Sequence, residues 1–184
     1  MKPFLQINEQ LSLHLARPEL AAPIFEVVDA QRNYLRQWLP WVDATQSVED
    51  SRQYLKESMA HNAQGTQLIT FLMEGETLAG SIGVVQYNKD CQKCEIGYWL
   101  RQDKQGRGLM TIACAAFTGY LFRSKDLNRI EILTAAGNAK SQAICQRLGF
   151  KHEGTLRQGL FMYGAYQDIK LYSLLRQEWR RLAT

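Results

Sequence analysis

Three hydrophobic spacings succeed one another along this chain. In "RPELAAPIFEVVDAQRNYLRQWL", Leu20, Ile24, Val27 and Val28 recur at helical intervals until Pro40 ends the pattern. Pro18 suits the first turn of that helix, where a missing N–H costs no bond. "SVEDSRQYLKESMAHNA" predicts a second helix, opened by Ser47 and Asp50 at capping-box spacing, with Ser51, Leu55 and Met59 along one face. The period then falls to two. Residues 67–73 and 78–88 read as strands around a Glu-Gly-Glu turn, and 94–100, "CEIGYWL", as a third. A helix over 108–124 turns Leu109, Ala113, Ala116, Phe117 and Tyr120 to one side. A strand over 128–136 follows, then a helix capped by Asn138 and closed by Gly149, with Phe150 folding back. "KHEGTLRQ" and "YQDIKLYSLLR" give two closing strands. This order predicts an α/β fold: one mixed sheet in a single domain, 1–184, with one βαβ crossover between 94–100 and 128–136.

Composition narrows the class. The 184 residues are 46% hydrophobic and 22% charged, ordinary values for a globular protein with a substantial core. No stretch approaches the ~18 consecutive apolar residues of a membrane span. "MKPFLQINEQ" lacks the apolar centre of a signal peptide, so a cytoplasmic protein with no membrane partner is expected. A net charge of +4 without a basic stripe, "RQEWRR" apart, gives no support to nucleic-acid binding and suits a polyanionic ligand or an acidic protein. "CQKC" (Cys91, Cys94) lacks the second ligand pair of a structural zinc site and falls in a turn, while Cys114 and Cys145 lie on apolar helix faces. His14 alternates with leucines on an early strand, and His61 and His152 show no metal spacing; no metal is expected.

The stretch "QDKQGRGLMTIACAAF" raises a question that periodicity does not answer. Gly106 and Gly108 flank Arg107 where a helix begins, although glycine is a poor helix former. A tight turn would explain them. So would an anionic ligand: the free N–H groups of a helix start attract one, and glycine lets a bulky diphosphate approach. Arg107 and Lys104 add charge nearby. The G-x-x-x-x-G-K-[ST] phosphate loop is absent, and Thr111 stands where a dinucleotide fingerprint has its third glycine.

Gln105-x-x-Gly108-x-Met110, following "EIGYWL", resembles the Q/R-x-x-G-x-G/A signature of the GCN5-related (GNAT) N-acetyltransferases. Met110 departs from the usual small residue, as is familiar in the RimJ/RimL-type branch of ribosomal-protein N-acetyltransferases. "NYLRQWLPWVD", "IGYWL", "QGRGLMT", "NAKSQAICQRLGF" and "YQDIKLYSLL" look like that branch's blocks, in order, over nearly the whole chain. The resemblance implies a GNAT fold, with a mostly antiparallel twisted sheet flanked by helices, and acetyl-CoA as co-substrate. By the same resemblance, Gln105, Gly106, Arg107, Gly108, Leu109, Met110 and Thr111 would hold the diphosphate of acetyl-CoA. Tyr98, Trp99 and Leu100 would pair with the pantetheine arm beside a bulge, and a backbone N–H there would polarise the thioester carbonyl. Asn138 would touch the pantetheine, and Ser141 would protonate the departing thiolate. Taken from the residues alone, Asn138 is equally a helix cap and Ser141 a first-turn residue.

The acceptor is less legible. An α-amine with a pKa of about 7.7–8.0 is partly neutral near physiological pH, whereas a lysine near 10.4 is almost wholly charged, so an N-terminal amine asks little of a base. Relatives carry a carboxylate close to the segment that here reads "RQGLFMYG", with Gly159 and Leu160. Glu95 is the remaining candidate base, with Asp168 second. Trp38 and Trp41, around Pro40, are core anchors, walls of an acceptor cleft or dimer contacts. The expected reaction is acetyl transfer by direct attack of a protein N-terminal α-amine, with an acidic ribosomal stalk protein as one candidate acceptor and a homodimer as one candidate assembly. Acetylation of a small amine (polyamine, amino acid or antibiotic) and a non-catalytic CoA-binding module are the alternatives.

Overall fold

The structure is a computed structural model that describes residues 2–182. Its strands are β1 (Leu5–Gln6), β2 (Leu11–Leu15), β3 (Leu68–Glu74), β4 (Thr77–Asn88), β5 (Lys93–Leu100), β6 (Arg129–Ala135), β7 (Lys151–Met162) and β8 (Ala165–Leu175). They form one eight-stranded sheet in the order β1-β2-β3-β4-β5-β6-β8-β7. β5 and β6 run parallel across the expected crossover; β1–β2, β2–β3, β6–β8 and β7–β8 are antiparallel. Helices α1 (Ala21–Ala30), α2 (Arg32–Leu35), α3 (Val48–Gln64), α4 (Leu109–Ser124), α5 (Ala139–Arg147) and α6 (Arg176–Leu182) complete the fold. Contacts group the chain into two compact units, one built on residues up to Gly83 with Tyr98–Ala113, the other on Val84–Gly97 with the residues from Cys114 onward.

In the first unit, Leu20, Ile24, Val28, Leu35, Val42, Leu55 and Phe71 form the core, with Trp41 and Trp99 packed against it. The helix predicted to run unbroken to Pro40 is instead a turn of 3-10 helix at Pro18–Leu20, then α1 and α2. The break falls at Gln31 (φ −128°, ψ 22°), whose side chain is drawn away to residues 102 and 103. Beyond it, the Arg32 guanidinium donates to the carbonyls of Val42 (3.0 Å) and Thr45 (2.5 Å), tying down the loop that carries both tryptophans. α3 begins as its capping residues require: the Ser47 hydroxyl accepts from the Asp50 N–H at 3.3 Å, and the Asp50 carboxylate accepts from the Gln46 N–H at 2.9 Å. Its buried face holds Ser51, Leu55 and Ser58, while Met59, expected inside, is exposed. The Asn62 amide decides this rotation. It bonds both the N–H and the C=O of Ile69 on β3, and Ser58, four residues earlier, shares its face.

In the second unit, α4 buries Cys114, Phe117, Leu121 and Phe122, with Ala116 and Tyr120 only half buried. Asn138 caps α5, and Gly149 (φ 76°) ends it with the Phe150 N–H on the Cys145 carbonyl at 2.9 Å. β7 is longer than its sequence suggested, β8 starts one residue earlier than expected and ends one earlier, and they meet at a Tyr163-Gly164 turn. The helix α6 was not anticipated from "RQEWRR". Its first residue, Arg176, donates to the carbonyls of Phe122, Lys125 and Leu127, at the C-terminal end of α4 and just beyond it.

Candidate active site

The glycine loop lies in the first unit. Gly106 and Gly108 have φ of 75° and 74°, a left-handed backbone that side chains disfavour. A Cβ added at either would meet no atom within 4 Å. The glycines therefore make the turn and also leave open space beside it. The Ile112 N–H closes onto the Gly108 carbonyl at 3.0 Å, so the N–H groups of residues 109–111 precede the first helical bond. Leu109 and Met110 are buried; they face the core and offer a ligand only their backbone, whereas Thr111 is half buried. Two left-handed glycines ahead of a helix start whose first N–H groups lack a helical partner make a place suited to an anion.

Side chains that the sequence reading missed hold this loop in place. Gln31 donates to the Asp103 carboxylate (3.0 Å) and accepts from the Gln102 N–H (2.8 Å). The Tyr34 hydroxyl bonds the Gln105 amide. Glu74 accepts from Lys104 at 2.7 Å and from both terminal nitrogens of Arg107. Those two cations hold its carboxyl near a pKa of about 2. Each of these partners lies thirty or more residues from the group it bonds, so no local pattern could have announced them.

Tyr98, Trp99 and Leu100 end β5, half buried. Trp99 meets Trp41 edge to face, with centroids 6.2 Å apart at 62°. Trp38 is half exposed and stands outside this pair. A Cβ on Gly80 would lie 2.2 Å from the Trp99 carbonyl oxygen, so only glycine on β4 allows this approach.

In the second unit, the parallel register of β5 and β6 covers Lys93↔Arg129, Cys94↔Ile130 and Glu95↔Glu131 and ends there, although β6 continues to Ala135. Glu95 sits at that last pair. Burial raises its pKa first and the neighbouring Glu131 carboxylate second, with Lys93 opposing. Lys93 and Arg129 both donate to Glu131, and Arg129 also pairs with Glu153, to which the Ser173 hydroxyl donates. Asp168, the other candidate base, accepts from the Gln158 N–H at 2.8 Å in the bulge of β7. Gly159 lies in the same bulge, where a Cβ would come within 3.1 Å of Leu156. The Asn138 side chain accepts from the Ser141 N–H at 3.1 Å, so the structure links the two as cap and first turn. Cys91 is exposed, whereas Cys94 is buried and its thiol pushed up to about 12.

The loop is one half of the picture; the sequence comparisons supply the family. The chain belongs to the GNAT acetyltransferase family: the Acetyltransferase (GNAT) domain matches residues 10–151. Over 175 residues it is 31% identical to the "Putative ribosomal N-acetyltransferase YdaF" of Bacillus subtilis, covering 95% of this chain and 96% of that one. It is 28% identical over 173 residues to the ribosomal-protein-serine acetyltransferase of Escherichia coli, covering 94% and 97%. Among solved structures, RimL, the ribosomal L7/L12 alpha-N-protein acetyltransferase in complex with coenzyme A, superposes with a TM-score of 0.91 over 95% of this chain and 98% of its own, a likeness of fold at 23% identity.

Proposed function

We propose that this protein transfers the acetyl group of acetyl-CoA to the N-terminal α-amine of a ribosomal protein by direct attack. The observation that carries the reading is the pair of left-handed glycines with open space at the start of α4. In this reading, residues 105–111 bind the diphosphate, and Tyr98, Trp99 and Leu100 bind the pantetheine through their backbone. Asn138 contacts the pantetheine, Glu95 takes a proton from the amine, and Ser141 returns one to the CoA thiolate as the C–S bond breaks. A carboxyl with a raised pKa is the better proton acceptor, which supports Glu95 in this role. Trp38 and Trp41 would line the acceptor's approach.

The relatives named for ribosomal proteins support that acceptor class. The serine terminus of an acidic stalk protein is the particular acceptor we propose, because the net charge of +4 favours it. Cytoplasmic location, a single catalytic domain and a homodimer belong to the same reading. The test is acetyl-CoA consumption against N-terminal peptides, lysine peptides and a small-amine panel. Turnover confined to N-terminal peptides is expected. Turnover of small amines alone would overturn the acceptor, and CoA binding without turnover would overturn the enzyme.

A further inference from the structure

Glu74 ends β3 in register with Leu11, and the next residue, Gly75, donates its N–H to the Gln10 carbonyl at 2.8 Å. A carboxylate posted on a paired strand end has little freedom. The loop it grips has much, because glycine accepts left- and right-handed backbone alike, and two glycines flank Arg107. Local sequence therefore leaves the conformation of residues 106–108 open, and groups outside the loop must select it. Gln31 and Tyr34 hold residues 102, 103 and 105. Glu74 reaches across Gly106, holding Lys104 on one side and Arg107 on the other.

We propose that Glu74 is a positioning residue for acetyl-CoA: by gripping Lys104 and Arg107 it sets the N–H groups of residues 106–108 in their anion-receiving arrangement before the diphosphate arrives. The proposal rests on the reading of this loop as the diphosphate site. Two effects of Glu74 oppose each other. It orders the loop, and it offsets two charges that would attract the ligand. Fixing the backbone of one residue costs a factor of roughly 5–30 in an equilibrium constant. An exposed ion pair changes one by about fivefold at most, which bounds the offset at Arg107, 50% exposed, while Lys104, 19% exposed, is less available to a ligand in any case. Ordering therefore dominates, and Glu74 aids binding.

Glu74→Gln keeps the shape of the side chain and removes its charge. We expect CoA affinity by calorimetry to weaken about tenfold, within the range for one ordered backbone residue. KM for acetyl-CoA should rise by a similar factor with kcat at saturation retained. Amide hydrogen exchange over residues 105–109 should quicken in the free variant and return to the wild-type rate with CoA bound. Glu74→Asp keeps the charge but draws it back, so it should show the same pattern more weakly, and it replaces the Gln variant if that one unfolds. Unchanged or tighter CoA binding, or unchanged exchange in the free loop, would overturn the proposal while leaving the diphosphate reading intact. Failure of the wild type itself to bind CoA would instead overturn the reading on which the proposal rests.

Discussion

Glu74 in the first unit and Glu131 in the second are built alike and set among opposite neighbours. Each is a mostly buried carboxylate, 15% and 12% exposed in its side chain, gripping one lysine and one arginine. Around Glu74 no further carboxylate among the described residues pairs with Lys104 or Arg107, so the glycine loop keeps one positive charge in excess. Around Glu131, two more carboxylates, Glu95 and Glu153, share Lys93 and Arg129, so that cluster carries one negative charge in excess. The pKa directions follow. Glu74 is held down near about 2 by its cations, whereas burial and Glu131 raise Glu95. Surplus cation suits an anion-binding loop, and surplus carboxylate suits a proton acceptor. In the proposed function the same motif would serve opposite chemistry according to which charge is left over.

The largest expected effect comes from filling the loop. Gly108→Val places a branched side chain in the open space, and CoA binding should be lost by calorimetry in protein shown to be folded by circular dichroism. Because φ there is 74°, any Cβ also strains the backbone; the milder Gly108→Ala should cost about 1–2 kcal/mol of stability. Full CoA affinity in a folded Gly108→Val variant would remove the diphosphate from this loop.

Glu95→Gln probes the other surplus. On an N-terminal peptide, kcat/KM should fall by about 100-fold at low pH, the lower end for a general base. Much of the loss should return near pH 9, where an α-amine with a pKa of about 7.7–8.0 deprotonates unaided. A wild-type pH profile would exclude Glu95. Stability should move the other way. A raised pKa means that folding favours the protonated form, whose stabilisation is present below the ordinary carboxylate range and disappears as pH rises through the folded value. An amide cannot ionise, so Tm at neutral pH should rise as activity falls.

Lys93→Met gives the smallest effect. It removes the one cation that opposes the upward shift of Glu95, so the acid limb of the activity profile should move to higher pH. The Lys93 side chain is 35% exposed and screened by solvent, which keeps the move below about one unit. A limb moving to lower pH would mean that Glu95 does not set it.

Much of the architecture could be read from single residues. Ser47, Asp50, Asn138, Gly149 and Phe150 each satisfy backbone groups within a few positions of themselves, so the start of α3 and both ends of α5 fell where their caps stood. The glycine loop was legible for the same reason: left-handed backbone is a local demand that glycine meets at small cost. Helix rotation was not legible. Ser51-Leu55-Ser58 and Ser51-Leu55-Met59 are both helical stripes, and the bonds of Asn62 to β3 chose between them. The break at Gln31 was equally hidden, because its cause lies some seventy residues away in the loop it anchors.

The sequence by itself therefore determined the main strands and the longer helices, several caps, the glycine turn and the family, each from residues near one another within short blocks of the chain. Tertiary structure alone decided which charges each carboxylate meets. A pKa depends on burial and on charges a few ångströms away, and the fold brings Glu74 to residues thirty positions distant and Glu95 beside Glu131. Spacing along the chain carries no record of those distances.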